Sequence, residues 1–231
     1  MNRCVQPELL DALPPADARA VRSRKDLVRV NTWMGNCRIM AQALQATCNG
    51  HGGRRLAELG AGDGRFLLGV AQRLPAGWQG TNALLLDRLQ VTPPAIRQDF
   101  QTLGWHAEIL EAEALDWLAQ PALEVFDAML ANLFLHHFPE AQLAALLRAA
   151  AKQTRLFIAV EPRRSGRSLL TSRLLWFIGC NHITRHDAPV SVRAGFAGGE
   201  LSRLWPASPD WTLQERPAGR FSHLFIAQLR R

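Results

Sequence analysis

The 231-residue chain contains no tyrosine, and lysine occurs only as Lys25 and Lys152. Both lysines lie outside the motif-bearing segments described below, so any general base has to be a histidine or a carboxylate. The four cysteines, Cys4, Cys37, Cys48 and Cys180, show no C-x-x-C or other metal-ligand spacing. That pattern excludes a zinc ribbon or a dithiol redox motif, and no metal site is expected. No segment resembles a signal peptide, so a cytoplasmic setting with reduced thiols is expected. Long apolar runs are also missing. The stretch from Leu169 to Cys180 is interrupted by Arg173 and falls short of the ~20 residues a membrane span needs, which leaves a buried or lid helix.

Acidic residues are outnumbered, 20 against 27 lysines and arginines, giving a formal net charge of +7 and a pI near 10.4. A basic chain attracts phosphate backbones. Here the charge is scattered, with local clusters at Arg22-Ser23-Arg24-Lys25 and at Arg163-Arg164 with Arg167. That distribution reads as a solvated or anion-contacting face, and nucleic acid is not the expected partner.

The most informative segment is Leu56-Ala57-Glu58-Leu59-Gly60-Ala61-Gly62-Asp63-Gly64, followed by a second apolar run, Ala83 to Leu86, that ends on Asp87. A strand, a glycine turn and a helix starting near Arg65 let the backbone approach a ligand closely. An acidic residue at the tip of the next strand accepts ribose hydroxyls. The ligand therefore contains a nucleoside. A pyrophosphate loop is written G-x-G-x-x-G, and Arg65 stands where its third glycine would be. Glu58 would repel a pyrophosphate and suits a cationic ligand.

This spacing resembles the first motif, [DE]-x-G-x-G-x-G, of the class I S-adenosylmethionine-dependent methyltransferases, matched by Glu58, Gly60, Gly62 and Gly64. The resemblance implies that these residues and Asp87 bind S-adenosyl-L-methionine. It further implies that Glu113 and Ala114, after the third strand, sit beside the adenine, and that Asn132, ending the fourth, borders the transferable methyl group.

The rest of the chain alternates in a βα manner. Strands are predicted at about 55–59, 82–87, 106–110, 126–131 and 156–160, with helices at about 64–74, 94–103, 115–119 and 140–152. A helix near 199–205 precedes two strand-like runs, 211–215 and 221–229, separated by Pro217-Ala218-Gly219, which read as a hairpin. The expected fold is α/β: a Rossmann-like, seven-stranded, mostly parallel sheet with a terminal antiparallel hairpin and helices on both faces. Residues 1–50 are expected to form an N-terminal helical segment, with Leu27, Val30, Met34, Cys37, Ala41 and Leu44 at helical spacing and a turn at Asn49 to Gly53. Residues 51–231 form the cofactor-binding domain. Within it, residues 162–198 are too long for an ordinary connection and are expected to be a lid.

Candidate catalytic residues are His137, after the fourth strand, and His186, in the lid, since a neutral imidazole can take a hydroxyl proton near neutral pH. His136, His182, Arg185 and Trp176 are the candidate substrate contacts. The segments Val160 to Ser165 and Asp187 to Leu201 resemble bacterial small-molecule methyltransferases of aromatic polyketide pathways. That implies O-methylation of a phenolic, apolar small molecule. The alternatives are an RNA or protein methyltransferase, and a cofactor-binding protein without turnover. A homodimer is left open.

Overall fold

The computed structural model describes residues 1–48, 54–89, 91–121, 125–172 and 179–230. The turn predicted at 49–53, which contains the expected domain boundary, lies outside them, as do Trp176 and the apolar run 174–178.

Seven strands form one sheet: β1 (Arg55–Leu59), β2 (Asn82–Asp87), β3 (His106–Glu111), β4 (Ala128–Asn132), β5 (Leu156–Pro162), β6 (Trp211–Ala218) and β7 (Ser222–Leu229). Their order is β3-β2-β1-β4-β5-β7-β6. The first five are parallel, and β7 enters antiparallel between β5 and β6. The expected sheet and terminal hairpin are both present. β4 starts two residues later than its apolar run, because the Asp127 carboxylate accepts the Arg55 N–H at 2.9 Å and Phe126 makes only an isolated bridge to Thr154.

The helices are α1 (Ala18–Met34), α2 (Asn36–Thr47), α3 (Arg65–Ala71), α4 (Ala95–Thr102), α5 (Ala114–Ala119), α6 (Glu140–Gln153), α7 (Gly166–Ser172), α8 (His182–Ala194) and α9 (Glu200–Leu204). Asp17 caps α1 by accepting the Arg19 N–H. The continuous periodicity of residues 27–44 is broken at Gly35, which adopts φ 72°. A side chain would resist that left-handed turn. The break swings Asn36 inward, where it is fully buried.

Strand alternation divides the core between the sheet's two faces. Leu56 packs with α2 and α3 through Met40, Leu44, Leu67 and Val70. Ala57 and Leu59 pack on the other face with Leu143, Leu146, Leu147 and Trp205. Burying each large side chain contributes roughly 1.5–3 kcal/mol. This double-sided burial explains why the strands read as apolar runs without alternation. Strand order reverses between β1 and β4, so their carboxyl ends splay connections to opposite sides and open a crevice there. Among the described residues no helix is long and apolar enough to cross a membrane.

Candidate active site

The crevice is a cavity of about 510 Å³. Glu58, Gly60 and Gly62 line it from β1 and its turn, and Asn132 from the end of β4. His136 and His137 come from the turn after β4. The chain thus brings six of the predicted site residues around one space.

On one side lies the glycine turn. Gly60, Gly62 and Gly64 all have positive φ, at 70°, 54° and 75°. At Gly60 the requirement is double, since a Cβ there would stand 2.2 Å from the Phe134 ring. A Cβ on Gly62 would meet nothing within 4 Å, so this backbone faces the open space. Asp87 fixes the turn: its carboxylate accepts the Gly62 N–H at 2.8 Å and the Leu89 N–H at 2.9 Å. Each oxygen keeps a further lone pair for a ribose hydroxyl. Asp87 itself, Gly64, Glu113 and Ala114 do not line the cavity. Glu113 is exposed at the N-terminal end of α5, and Ala114 is buried. They adjoin Asp87 through the Ala112 N–H, which donates to the Asp87 carbonyl at 2.9 Å.

Glu58 is 1% exposed, and its Oε2 has no hydrogen-bond partner. Burial, reinforced by Asp63 and Asp87, raises its pKa well above the ordinary carboxylate value. A buried, unpaired carboxylate oxygen facing a cavity is costly by itself. It fits a cation placed there. The donor set therefore suits S-adenosylmethionine: carboxylate for the charged methionine end, bare backbone at Gly62, and acidic acceptor at Asp87.

Asn132 closes the β4 end through an amide network. Its Oδ1 accepts from Asn36 Nδ2 at 2.9 Å, and its Nδ2 donates to Asn31 Oδ1 at 3.2 Å. Asn36 in turn accepts from Ser222 Oγ at 2.6 Å. Next, Leu133 adopts φ 50°, a strained conformation for a branched residue, which persists only when neighbours enforce it. Glu161, fully buried at the end of β5, supplies the enforcement. Its Oε1 accepts the N–H groups of Phe134 and Leu135 at 3.0 and 2.9 Å.

Glu161 also pairs with His136 Nδ1 at 2.8 Å, while His136 Nε2 lies 3.4 Å from Glu8. Burial opposes a charge on His136, but the two carboxylates prevail and raise its pKa to about 9. Burial likewise works to raise Glu8, yet His136 and His137 hold it well below the ordinary value. His137 Nδ1 bonds the Phe134 carbonyl at 2.9 Å, so its N–H is there and its Nε2 carries the lone pair in the neutral ring. That Nε2 is 3.6 Å from Glu8 and 3.9 Å from Asp11.

Glu8, Asp11 and Asp187 also line the cavity; the sequence offers Asp187 as an alternative proton acceptor beside the histidines, whereas Glu8 and Asp11 were missed as site residues. The first residues of the chain strap across the opening. Arg3 donates to the carbonyls of Ala194 and Phe138 at 2.8 and 2.9 Å. The Leu9 and Leu10 N–H groups donate to the Asp187 carboxylate at 2.9 and 3.0 Å. Ser191 Oγ donates to Glu8.

In α8 the predicted residues face outward. His182, Arg185 and His186 are exposed and do not line the cavity. His186 is bound to Asp187 through Nδ1 at 2.9 Å. The residues that reach the cavity are Thr184, Asp187, Ala188, Ser191 and Val192, one helical stripe. A helical-wheel reading of 182–194 would have found it. α8 is held over the site by Ser23 and Thr184, whose hydroxyls are 2.8 Å apart, and by Asp26, which accepts the Asn181 N–H at 2.8 Å.

No protein-family model and no curated protein sequence matches the chain. Solved structures do. An O-methyltransferase family protein from Burkholderia thailandensis aligns at TM-score 0.60 and 20% identity over 93% of this chain and 61% of that one. The pyocyanin biosynthetic protein PhzM aligns at 0.58 and 15% identity, over 93% and 59%. A magnesium protoporphyrin IX methyltransferase from Synechocystis, solved with bound S-adenosylhomocysteine, aligns at 0.52 and 14% identity, over 86% and 83%. The chain spans about three-fifths of the length of the first two. The shared fold is the Rossmann-like methyltransferase fold.

Proposed function

We propose that the protein is an S-adenosylmethionine-dependent methyltransferase that methylates a hydroxyl, phenolic in our reading, of a small apolar or aromatic molecule. The observation that carries this reading is Glu58: a buried carboxylate with an unpaired oxygen, at a glycine turn, facing the same cavity as His137. S-adenosylmethionine bound there supplies an electrophilic methyl group. Glu58, the Gly60 to Gly62 backbone and Asp87 hold and orient it, with Glu113 and Ala114 beside the adenine and Asn132 near the reacting centre.

The acceptor enters the part of the cavity walled by α1, α8 and the N-terminal strap. Leu27, Val28, Leu133, Val192 and Phe221 give this space apolar walls, which suit an aromatic ring better than a polynucleotide. Holding the oxygen in line with the methyl group is the main task, worth up to roughly 7–11 kcal/mol of barrier. α7 and α8 form the lid that excludes water. The acceptor's proton passes to the cluster of Glu8, Asp11 and His137, whose Nε2 faces the carboxylates. His136, held as a cation between Glu8 and Glu161, positions the turn. His186 has no part in this scheme. A cytoplasmic setting, with the four cysteines as thiols, belongs to the same proposal.

The similarity of Burkholderia thailandensis O-methyltransferase and PhzM folds to this one supports the reading. The test is mass spectrometry of phenolic and aliphatic hydroxyl compounds incubated with protein and S-adenosylmethionine. A gain of one methyl, lost in Glu58→Gln and Asp87→Ala, is expected. Methylation of RNA or protein in place of any small molecule would overturn the assignment of the acceptor.

A further inference from the structure

The cluster of Glu8, His136 and His137 is more than a set of ion pairs. One ligand atom from each lies within 4.8 Å of the others. Glu8 Oε1 is 3.4 Å from His136 Nε2, and Glu8 Oε2 is 3.6 Å from His137 Nε2. Both contacts exceed the usual length of a charge-assisted N–H···O bond, about 2.7–2.9 Å. They leave room for a cation between the carboxylate and the two imidazoles, with bonds of ~2.0–2.2 Å to each.

The remaining nitrogens are committed elsewhere. His136 Nδ1 is bound to the buried Glu161 at 2.8 Å and His137 Nδ1 to the Phe134 carbonyl at 2.9 Å. Carboxylate and carbonyl partners of this kind fix the tautomer and turn of metal-ligating imidazoles. Each ring is thereby aimed with Nε2 toward Glu8, and the strained Leu133 sets the turn that carries both rings.

We propose that Glu8, His136 and His137 bind one divalent transition-metal ion, with zinc as the best fit to two imidazoles and one carboxylate, and with an open position facing the cavity. Three protein ligands with a free fourth position are the pattern of sites that take up a substrate oxygen. The acceptor hydroxyl occupies that position. Its O–H bond breaks with the electron pair left on oxygen, and the proton passes to Asp11, which is 43% exposed and 3.9 Å from His137 Nε2, and then to water. The ion displaces the proton from His136 Nε2 to solvent, His137 Nε2 is likewise a ligand, and acceptance of the substrate proton falls to Asp11. This inference rests on the proposed hydroxyl acceptor for the use of the metal, but its binding test does not.

The experiment titrates chelator-treated full-length protein with cobalt(II), following the visible ligand-field bands, and then displaces the cobalt with zinc. The same samples are titrated with S-adenosylhomocysteine. One equivalent of cobalt with low-coordinate bands is expected, displaced by zinc. In Glu8→Gln and in His137→Gln the affinity should fall at least about 10-fold, with S-adenosylhomocysteine binding kept as evidence of folding. Absence of cobalt bands in protein that binds S-adenosylhomocysteine would overturn the metal site alone. Undiminished cobalt binding in both variants would overturn the ligand assignment. Loss of S-adenosylhomocysteine binding in unaltered protein would instead overturn the cofactor reading.

Discussion

Glu58→Gln keeps the shape of a buried side chain and removes its charge. Glu58 is 1% exposed with Oε2 unpaired, and its pKa is raised by burial and by Asp63 and Asp87. A carboxyl raised in the folded state is protonated there at pH values where the unfolded chain has already lost the proton. Its contribution to stability is full below the unfolded value and declines as pH rises toward the folded value. Each pH unit in that window costs about 1.4 kcal/mol. The stability of ligand-free protein relative to Glu58→Gln should therefore fall as pH rises above the unfolded carboxylate value of about 4.3, as read by urea denaturation at several pH values. The proposed cofactor binding has the opposite need, since the cationic end of the ligand would recruit an ionised Glu58. Loss of that charged partner should weaken S-adenosylhomocysteine binding by roughly 1.5–3 kcal/mol, on the order of 10- to 150-fold. Binding to unaltered protein should also release a proton, so its calorimetric heat should depend on the ionisation enthalpy of the buffer. Equal affinity in the variant, or a stability difference independent of pH, would refute the role given to Glu58.

Asp87→Ala removes the anchor of the Gly62 N–H and, with it, the proposed ribose acceptor; calorimetry should show S-adenosylhomocysteine affinity reduced by at least about 10-fold. Gly60→Ala places a Cβ 2.2 Å from the Phe134 ring at φ 70°. Overpacking and left-handed strain together should cost roughly 2–5 kcal/mol, lowering Tm on the order of 5–15 °C, measured by differential scanning calorimetry. Asp187→Ala releases the Leu9 and Leu10 N–H groups. Hydrogen exchange at those two amides should accelerate while S-adenosylhomocysteine affinity stays the same; unchanged exchange would show that the strap is held by other contacts.

The parts of the fold legible in the sequence are those with local signals. Strands buried on both faces stood out as apolar runs, and three glycines in five residues marked the turn at 60–64 together with Glu58. The hairpin of β6 and β7 was visible from Pro217-Ala218-Gly219. What stayed hidden depends on distant partners. Residues 1–13 carry no hydrophobic period, so nothing local shows that Glu8 meets His136 and His137, or that Leu9 and Leu10 cap onto Asp187, 178 and 177 residues away. The break at Gly35 was masked by periodicity that continues on both sides of it. In α8 polarity misled, because His182, Arg185 and His186 are polar on the solvent side, while the polar residues that matter, Thr184 and Asp187, are buried. His137 reached the site through its place after β4. His186, given the same role in the sequence, is turned away from the cavity by its position on the helix.

The central claim is that the crevice between β1 and β4 binds S-adenosylmethionine through Glu58, the glycine turn and Asp87. Isothermal titration of the protein with S-adenosylmethionine, S-adenosylhomocysteine and NAD tests it most directly. The account predicts saturable binding of the first two, one per chain, weakened in both Glu58→Gln and Asp87→Ala, and none of NAD, whose pyrophosphate meets the Glu58 carboxylate. Binding of NAD in preference to both sulfur ligands, or no heat from either of them, would contradict it.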